Sequence, residues 1–340
     1  MSQGHLTIED RDVIAVRVAQ GCRQQQIAQE IGKSQSTISR ELRRNGSDGG
    51  AGHLLSPYRP VAAHRKACRR RRAALERRPR MLEQPDLLRA VQDGLRKFWS
   101  PEQIAGRLAR EKGRRKISHE TIYRWIRRGK RAGLRWHTYL RQAHRHYKRR
   151  SRGMPDKRGK IPDRTFIDQR PAEVAAKRRF GHWEGDTLVG GGPRRGAVIT
   201  HVERKSQYLV MAPLPVRDHR QVVKASRRAF ARHERHGPLP RRSETLDNGQ
   251  EFWSHKALGQ ALGLRIYFAR PHHPWERGLN EQVNGLIRQF LPKGCDLVNL
   301  PRTSIGRIEH RLNHRPRKTL GYRTPFEVLR KSRTFYAFQS

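Results

Sequence analysis

The spacing of apolar residues changes once along this chain, near residue 180. Upstream, apolar positions recur at helical intervals in short segments divided by turn signals. Residues 11–19 carry Val13 and Val16 in this pattern and stop at Gly21. A second short helix is predicted in QQQIAQEIG, ending at Gly32, and a third in QSTISRELRR, with Ser34 as N-cap and Asn45-Gly46 as the stop. Residues 47–60, rich in glycine, serine and proline, read as a linker. Three more helices are predicted over residues 85–127. The first holds Leu87, Leu88, Val91 and Leu95. The second opens at SPEQIAGRL, with Ser100 as N-cap, Pro101 in the first turn and Gln103 closing a capping box. The third opens at Ser118 in SHETIYRWI.

From residue 181 the segments become short and β-rich. WEGDTLVG, AVITHVER and YLVMAPLP predict a three-stranded meander. A basic helix (VVKASRRAFARH), a strand ending in a turn (SETLDNG), a helix (HKALGQALG), a strand (RIYFAR) and a helix over 279–290 follow. A meander followed by alternating strands and helices predicts a mixed five-stranded α/β sheet. The predicted chain is multidomain: a helix-turn-helix domain at 1–50, a basic linker at 51–80, a second helix-turn-helix unit at 81–130, a basic linker at 131–175, and an α/β domain with a helical C-terminal extension at 176–340.

Charge sharpens this picture. The 340 residues carry 75 Lys and Arg against 30 Asp and Glu, a formal charge of +45. Such a charge favours polyanionic partners, and nucleic acid is the first candidate because neutralising phosphates releases condensed counterions. Residues 61–80 hold nine basic side chains and one acid, and residues 131–180 hold 16 against 4. Within them, the runs at 65–80 and 141–160 read as phosphate contacts or solvated linkers, without sequence code. Three scattered cysteines (Cys22, Cys68, Cys295) make neither a disulfide framework nor a CxxC zinc site. The first residues lack the apolar core of a signal peptide, and no apolar run approaches a bilayer span. Membrane enzymes and secreted disulfide modules are thereby excluded, and a cytoplasmic, nucleoid-associated protein is expected.

Two segments are suited to reading DNA. In QQQIAQEIGKSQSTISREL, Ala28 is small where two helices meet, Gly32 suits the turn, and Ile38 anchors the next helix. Gln35, Ser36, Thr37, Ser39, Arg40 and Arg43 are left to face outward, where they could donate to base edges or phosphates in a major groove. An ordinary three-helix bundle is the plainer alternative. The second unit repeats this logic, with His119, Glu120, Thr121 and Arg124 outward and Ile122, Trp125 and Ile126 inward. A spacer or dimerisation bundle is its alternative.

Three acids stand out by position. Asp186 lies in the first predicted strand, Asp247 ends the fourth, and Glu281 sits in the helix after the fifth. An acid among apolar strand neighbours is costly unless paired or metal-bound. Carboxylates converging at one end of a sheet would suit Mg²⁺, and two such ions could serve phosphoryl transfer. The spacing alone carries little, since Asp247 could be a hairpin-turn residue, Glu281 an exposed helical acid and Asp186 a strand-edge residue. Glu184 and Glu276 are rival ligands.

Taken together, STISREL, SPEQIAGRL with ETIYRWI, GHWEGDTLVG, LDNGQEF, PHHPWERGLNEQVNGLIRQFLPKG and LNHRPRKTLGYRTPFEVL resemble the DDE transposases of bacterial insertion sequences, the "insertion sequence thirty" family in particular. The resemblance runs over nearly the whole chain. It implies a ribonuclease H-like catalytic core shared with retroviral integrases, whose acids match Asp186, Asp247 and Glu281 as catalytic and metal-binding residues. It implies two Mg²⁺ ions, with Mn²⁺ able to substitute. Arg288, seven positions after the glutamate and on the same helical face, matches a basic residue of related families. The implied reaction begins with water freeing a 3′-OH at the element's end. That hydroxyl then attacks target DNA in line, without a covalent protein intermediate. The implied partners are double-stranded DNA, as terminal inverted repeats and target, and further copies of the chain in a homo-oligomer. The zinc-binding domain of retroviral integrases has no counterpart here.

Around this site, Trp275 is a candidate to stack on an unpaired base, or else packs on the sheet edge. Arg277, Arg315, Arg317, Lys318 and Arg323 are expected at phosphates, Gly278 where the backbone enters the helix, and Trp183 in the core. His272 and His273 read as loop residues. A catalytically silent DNA-binding regulator derived from a transposase is the alternative function.

Overall fold

The computed structural model describes residues 5–45, 58–76, 84–112, 117–141, 161–191, 196–235, 237–271 and 273–337. The chain forms two compact units, Met1–Leu82 and Glu83–Ser340.

The first unit contains α1 (Ile8–Ala19), α2 (Gln24–Glu30), α3 (Gln35–Asn45) and α4 (Pro60–Glu76). Thr7 and Asp10 form a reciprocal capping box that starts α1. Gly21 and Gly32 take φ of +74° and +63° at the two turns, a conformation that costs glycine little. Leu6, Ile14, Ile27, Ala28, Ile38, Tyr58 and Ala63 form the core. Beside it, buried Arg11 donates from Nε to Glu41 Oε1 at 2.6 Å, and Tyr58 donates its hydroxyl to the same oxygen at 2.9 Å. The glutamate of STISREL is therefore a buried tie between α1, α3 and the approach to α4. The stretch read as a basic linker over 51–80 includes α4, because Ala63 and Ala67, one turn apart, are buried beneath its arginines.

The second unit opens with α5 (Pro85–Arg96), α6 (Pro101–Lys112) and α7 (His119–Arg131). The predicted box is present at α6: Ser100 N–H donates to Gln103 Oε1 at 2.9 Å, and Gln103 N–H to Ser100 Oγ at 3.2 Å. Next come β1 (His182–Val189), β2 (Ala197–Glu203), β3 (Leu209–Leu214), α8 (His219–Glu234), β4 (Ser243–Leu246), α9 (His255–Leu262), β5 (Arg265–Phe268), α10 (Gly278–Ile287), α11 (Arg302–Asn313) and α12 (Pro325–Ala337). The sheet order is β3-β2-β1-β4-β5. The first three strands are antiparallel, while β1–β4 and β4–β5 are parallel.

Alternate side chains of β1 point to opposite faces. Trp183 enters one core with Phe230 of α8 and Leu258 and Leu262 of α9. Leu188 enters the other with Val283 and Ile287 of α10 and Ile305, Ile308 and Leu312 of α11. The sheet is thus covered on both sides, which explains the continuous burial of β2. Part of the segment read as a linker over 131–175 belongs to this body. Ile161 joins the sheet core, and Phe166 bridges to Phe268 beside β5.

The α5–α7 helices also join the sheet body through side chains. Arg107 donates to both oxygens of Glu327, at 2.7 and 2.8 Å, and Lys318 donates to Glu102 at 2.7 Å. A Cβ on Gly106 would lie 2.2 Å from the Tyr322 ring, so glycine permits that contact. The Phe98 ring packs edge-on against Tyr139 and Phe290. Among the described residues, no helix is long and apolar enough to cross a membrane.

Candidate active site

Asp186 points from β1 toward α10, on the face opposite Trp183. Because β1 and β4 are parallel neighbours, Asp247, the residue after β4, comes to the same edge. A Cβ on Gly185 would lie 2.5 Å from the Leu246 side chain and 2.7 Å from Glu244 Oε1, so glycine there lets β1 and β4 pack closely beside the aspartates.

One guanidinium bridges the two carboxylates. Arg277 Nη1 lies 3.5 Å from Asp186 Oδ1, and Nη2 lies 3.4 Å from Asp247 Oδ2. Arg277 also donates to the Gly185 carbonyl at 3.2 Å. The remaining lone pairs are served locally. Asn284 of α10 donates to Asp186 Oδ2 at 2.7 Å, Thr187 N–H to Asp186 Oδ1 at 2.9 Å, and Gly249 N–H to Asp247 Oδ1 at 3.1 Å. Burial, reinforced by the nearby charge of Asp247, raises the Asp186 pKa to about 6 despite Arg277.

Glu281 is on α10, four residues after Arg277 and three before Asn284, so the three share a helical face. Its side chain is exposed and makes no hydrogen bond or ion pair among the described residues. The expected convergence of three carboxylates is therefore limited to two here, and no group of three His, Cys, Asp or Glu is placed to hold a metal ion among the described residues.

The rival acids are engaged elsewhere. Buried Glu184 accepts from Arg204 Nη1 at 2.6 Å and from Asn280 N–H at 3.0 Å, and Glu276 accepts from Arg270 N–H at 2.8 Å. Arg288 caps α10 and donates to the Val189 carbonyl at 3.0 Å, which fixes the helix against the end of β1. Trp275 lies in a 3-10 turn, Pro274–Arg277, but its side chain is outside the described residues, as is His272. Gly278 takes an ordinary helical φ of −59°, and an added Cβ would meet nothing, so no glycine is required there. Trp183 is fully buried, as anticipated. Two contributions were missed from the sequence: the Asn284 contact, detectable only as the i+3 neighbour of Glu281, and the bridging position of Arg277, which had been read as a phosphate contact.

In the first unit, Gln35, Ser36, Arg40 and Arg43 are exposed along α3, whereas Thr37 is half-buried with its hydroxyl 2.9 Å from Ser34 Oγ. In the second, His119 is exposed, Arg124 is half-buried, and Thr121 turns its hydroxyl to the Ser118 N-cap at 2.8 Å. Ile122, Trp125 and Ile126 are buried as anticipated.

A mixed sheet in this order, helix-covered on both faces and in a chain that begins with a helix-turn-helix domain, is consistent with a ribonuclease H-like integrase core. Comparison with known proteins gives the family. The helix-turn-helix domain profile matches residues 2–45. The chain is 38% identical over 329 residues to the transposase for insertion sequence element IS4351 of Bacteroides fragilis, with 96% of each chain covered. It is 38% identical over 331 residues to the transposase for insertion sequence element IS1086 of Cupriavidus metallidurans, covering 94% of this chain and 93% of the relative. It is 35% identical over 338 residues to transposase InsI for insertion sequence element IS30A of Escherichia coli K12, covering 96% and 84%. The chain belongs to the IS30-type family of insertion-sequence transposases.

Proposed function

We propose that this chain cuts and joins DNA at the ends of its insertion sequence, with Asp186, Asp247 and Glu281 as the reacting set. The observation that carries the reading is the pairing of Asp186 and Asp247 across parallel neighbours, with one cationic group shared between them. That donor set fits a hard divalent cation, since two carboxylates from adjacent strands already share a single positive partner. Mg²⁺, or Mn²⁺ in its place, would be held by Asp186, Asp247 and Glu281 and would supply Lewis-acid activation and charge neutralisation at a scissile phosphodiester.

The chain's own groups prepare this chemistry. Asn284 and the Thr187 amide orient Asp186. Arg277 keeps the aspartate pair from repelling itself apart and offers a guanidinium to incoming phosphate. Glu281, exposed at the same helical face, completes the set when DNA is bound. Water attacks phosphorus and the P–O3′ bond breaks, leaving a 3′-OH; that hydroxyl then attacks a target phosphodiester and displaces its 3′ oxygen. Exposed α3, with Gln35, Ser36, Arg40 and Arg43, reads the terminal repeat, while His119, Thr121 and Arg124 of α7 serve a second contact and Trp275 the strand near the break. The active species is a homo-oligomer on paired ends, in the bacterial cytoplasm at the nucleoid.

The exposed position of Glu281 also suits a silent DNA-binding regulator, and one assay separates the two. End-bearing DNA incubated with Mg²⁺ should be nicked and joined by the wild type. Asp186→Asn, Asp247→Asn and Glu281→Gln should each lose at least a hundredfold in strand transfer while retaining end binding. Binding without cleavage by the wild type selects the regulator.

A further inference from the structure

On the sheet face away from Asp186, three buried polar side chains form a line that crosses beneath β1. Glu244 of β4 passes under Gly185 and meets His201 of β2, with Oε1 2.5 Å from Nδ1. The other ring nitrogen, Nε2, lies 2.9 Å from Ser226 Oγ on α8. Phe230, also on α8, sets its ring against the imidazole at 75°. All three polar residues are 0% exposed, and Glu244 Oε2 has no hydrogen-bond partner. The order acid, imidazole, hydroxyl would suit a proton relay. Sealed in the core, however, it meets no substrate, and its use is mechanical.

A buried carboxylate committed to a single partner is a poor source of stability, since desolvation offsets the attraction. What it offers is a fixed span. β1 lies between β4 and β2, so the bridge covers two strand spacings, about 10 Å. Gly185 stands opposite His201 in the β1–β2 ladder, and the place its Cβ would take is 2.7 Å from Glu244 Oε1. The bridge therefore runs under the residue next to Asp186, and it starts three residues before Asp247. The backbone ladder does not reach so far. β1 and β4 pair from His182–Ser243 to Glu184–Thr245, two residues short of both aspartates.

We propose that Glu244, His201 and Ser226 are positioning residues for the aspartate pair. Their bridge holds β4 at a set distance from β2 across β1, and so fixes the separation of the Asp186 and Asp247 carboxylates for a divalent cation. The role rests on the reading of those aspartates given above. Ion selectivity follows from it, because Mg²⁺ requires near-ideal octahedral ligands whereas Ca²⁺ accepts a flexible shell.

The test titrates the full chain, free of DNA, with magnesium chloride and separately with calcium chloride by calorimetry. Glu244→Ala should bind Mg²⁺ about tenfold more weakly, as for loss of an outer-shell support, with Ca²⁺ affinity nearly unchanged. Glu244→Gln restores the length of the bridge and a hydrogen bond to His201, and should bind Mg²⁺ like wild type. Ser226→Ala releases only the far side of the imidazole and should shift the ratio of Mg²⁺ to Ca²⁺ affinity less, in the same direction. Leu262→Ala opens the same core without touching the bridge's hydrogen bonds and should leave that ratio unchanged. An unchanged ratio in Glu244→Ala, or in Ser226→Ala where Glu244→Ala does not fold, overturns the positioning role, as does an equal shift in Leu262→Ala. A wild type that binds no Mg²⁺, or an Asp186→Asn variant that binds it as well as wild type, overturns the reading of the aspartates, together with the role built on it.

Discussion

Asp186 illustrates how a single side chain opposes folding at a reactive site. Its pKa stands at about 6, above the ordinary 3.8, because burial and Asp247 disfavour the anion. The native state therefore binds more protons than the unfolded state between roughly pH 4 and 6, and stability falls as pH rises through that window. Asp186→Asn removes the penalty. In EDTA at pH 7 the variant should be more stable than wild type by about 1–3 kcal/mol, and the advantage should vanish near pH 3.5, as thermal melts would report. Divalent cation should raise the melting temperature of wild type and leave that of the variant nearly unchanged. The candidacy of Asp186 and Asp247 was legible in the sequence, since an acid among strand residues and an acid at a strand end are costly without a reason. Their pairing through Arg277 was not, because it depends on β1 and β4 being parallel neighbours. The same limit applies to Arg315 and Arg317, which were expected at phosphates and are buried.

At the scale of elements, regular strands and helices were read from periodicity because their burial is periodic. The order of strands and helices from β1 to α10 follows the predicted order, though α10 ends at Ile287, before the anticipated 290. The α4 helix was missed because its arginines hide two buried alanines, and small side chains leave a weak periodic signal. Recognition by α3 is separable from its packing. Arg40→Ala removes an exposed side chain and should weaken the footprint on the terminal repeat about tenfold without altering the fold. Glu41→Ala, next to it, strands buried Arg11 without its carboxylate and should cost about 3–5 kcal/mol in the first unit. Hydrogen exchange of α1–α3 in the full chain would register that loss, while exchange in the sheet stays unchanged.

On the scale of the whole molecule, the division of the chain differs from its charge pattern. Basic composition suggested two helical units on comparable tethers. The structure instead makes one compact unit of Met1–Leu82 and another of Glu83–Ser340, so the α5–α7 helices and the sheet belong together. The Arg107–Glu327 pair, the Lys318–Glu102 pair and the seat of Tyr322 against Gly106 fasten them.

That fastening turns the second unit into a ruler. On the proposed reading, base pairs that met the exposed side of α7 would lie at a set distance from the aspartates, and the place of the break would be measured from the sequence that α7 touches. Inserting five base pairs between that contact and the cleavage point would rotate one of them to the opposite side of the duplex, about half a helical turn. The footprint should persist while cutting at the original phosphate disappears. A break that kept its position relative to the DNA terminus, regardless of the insertion, would mean that α7 sets no measure.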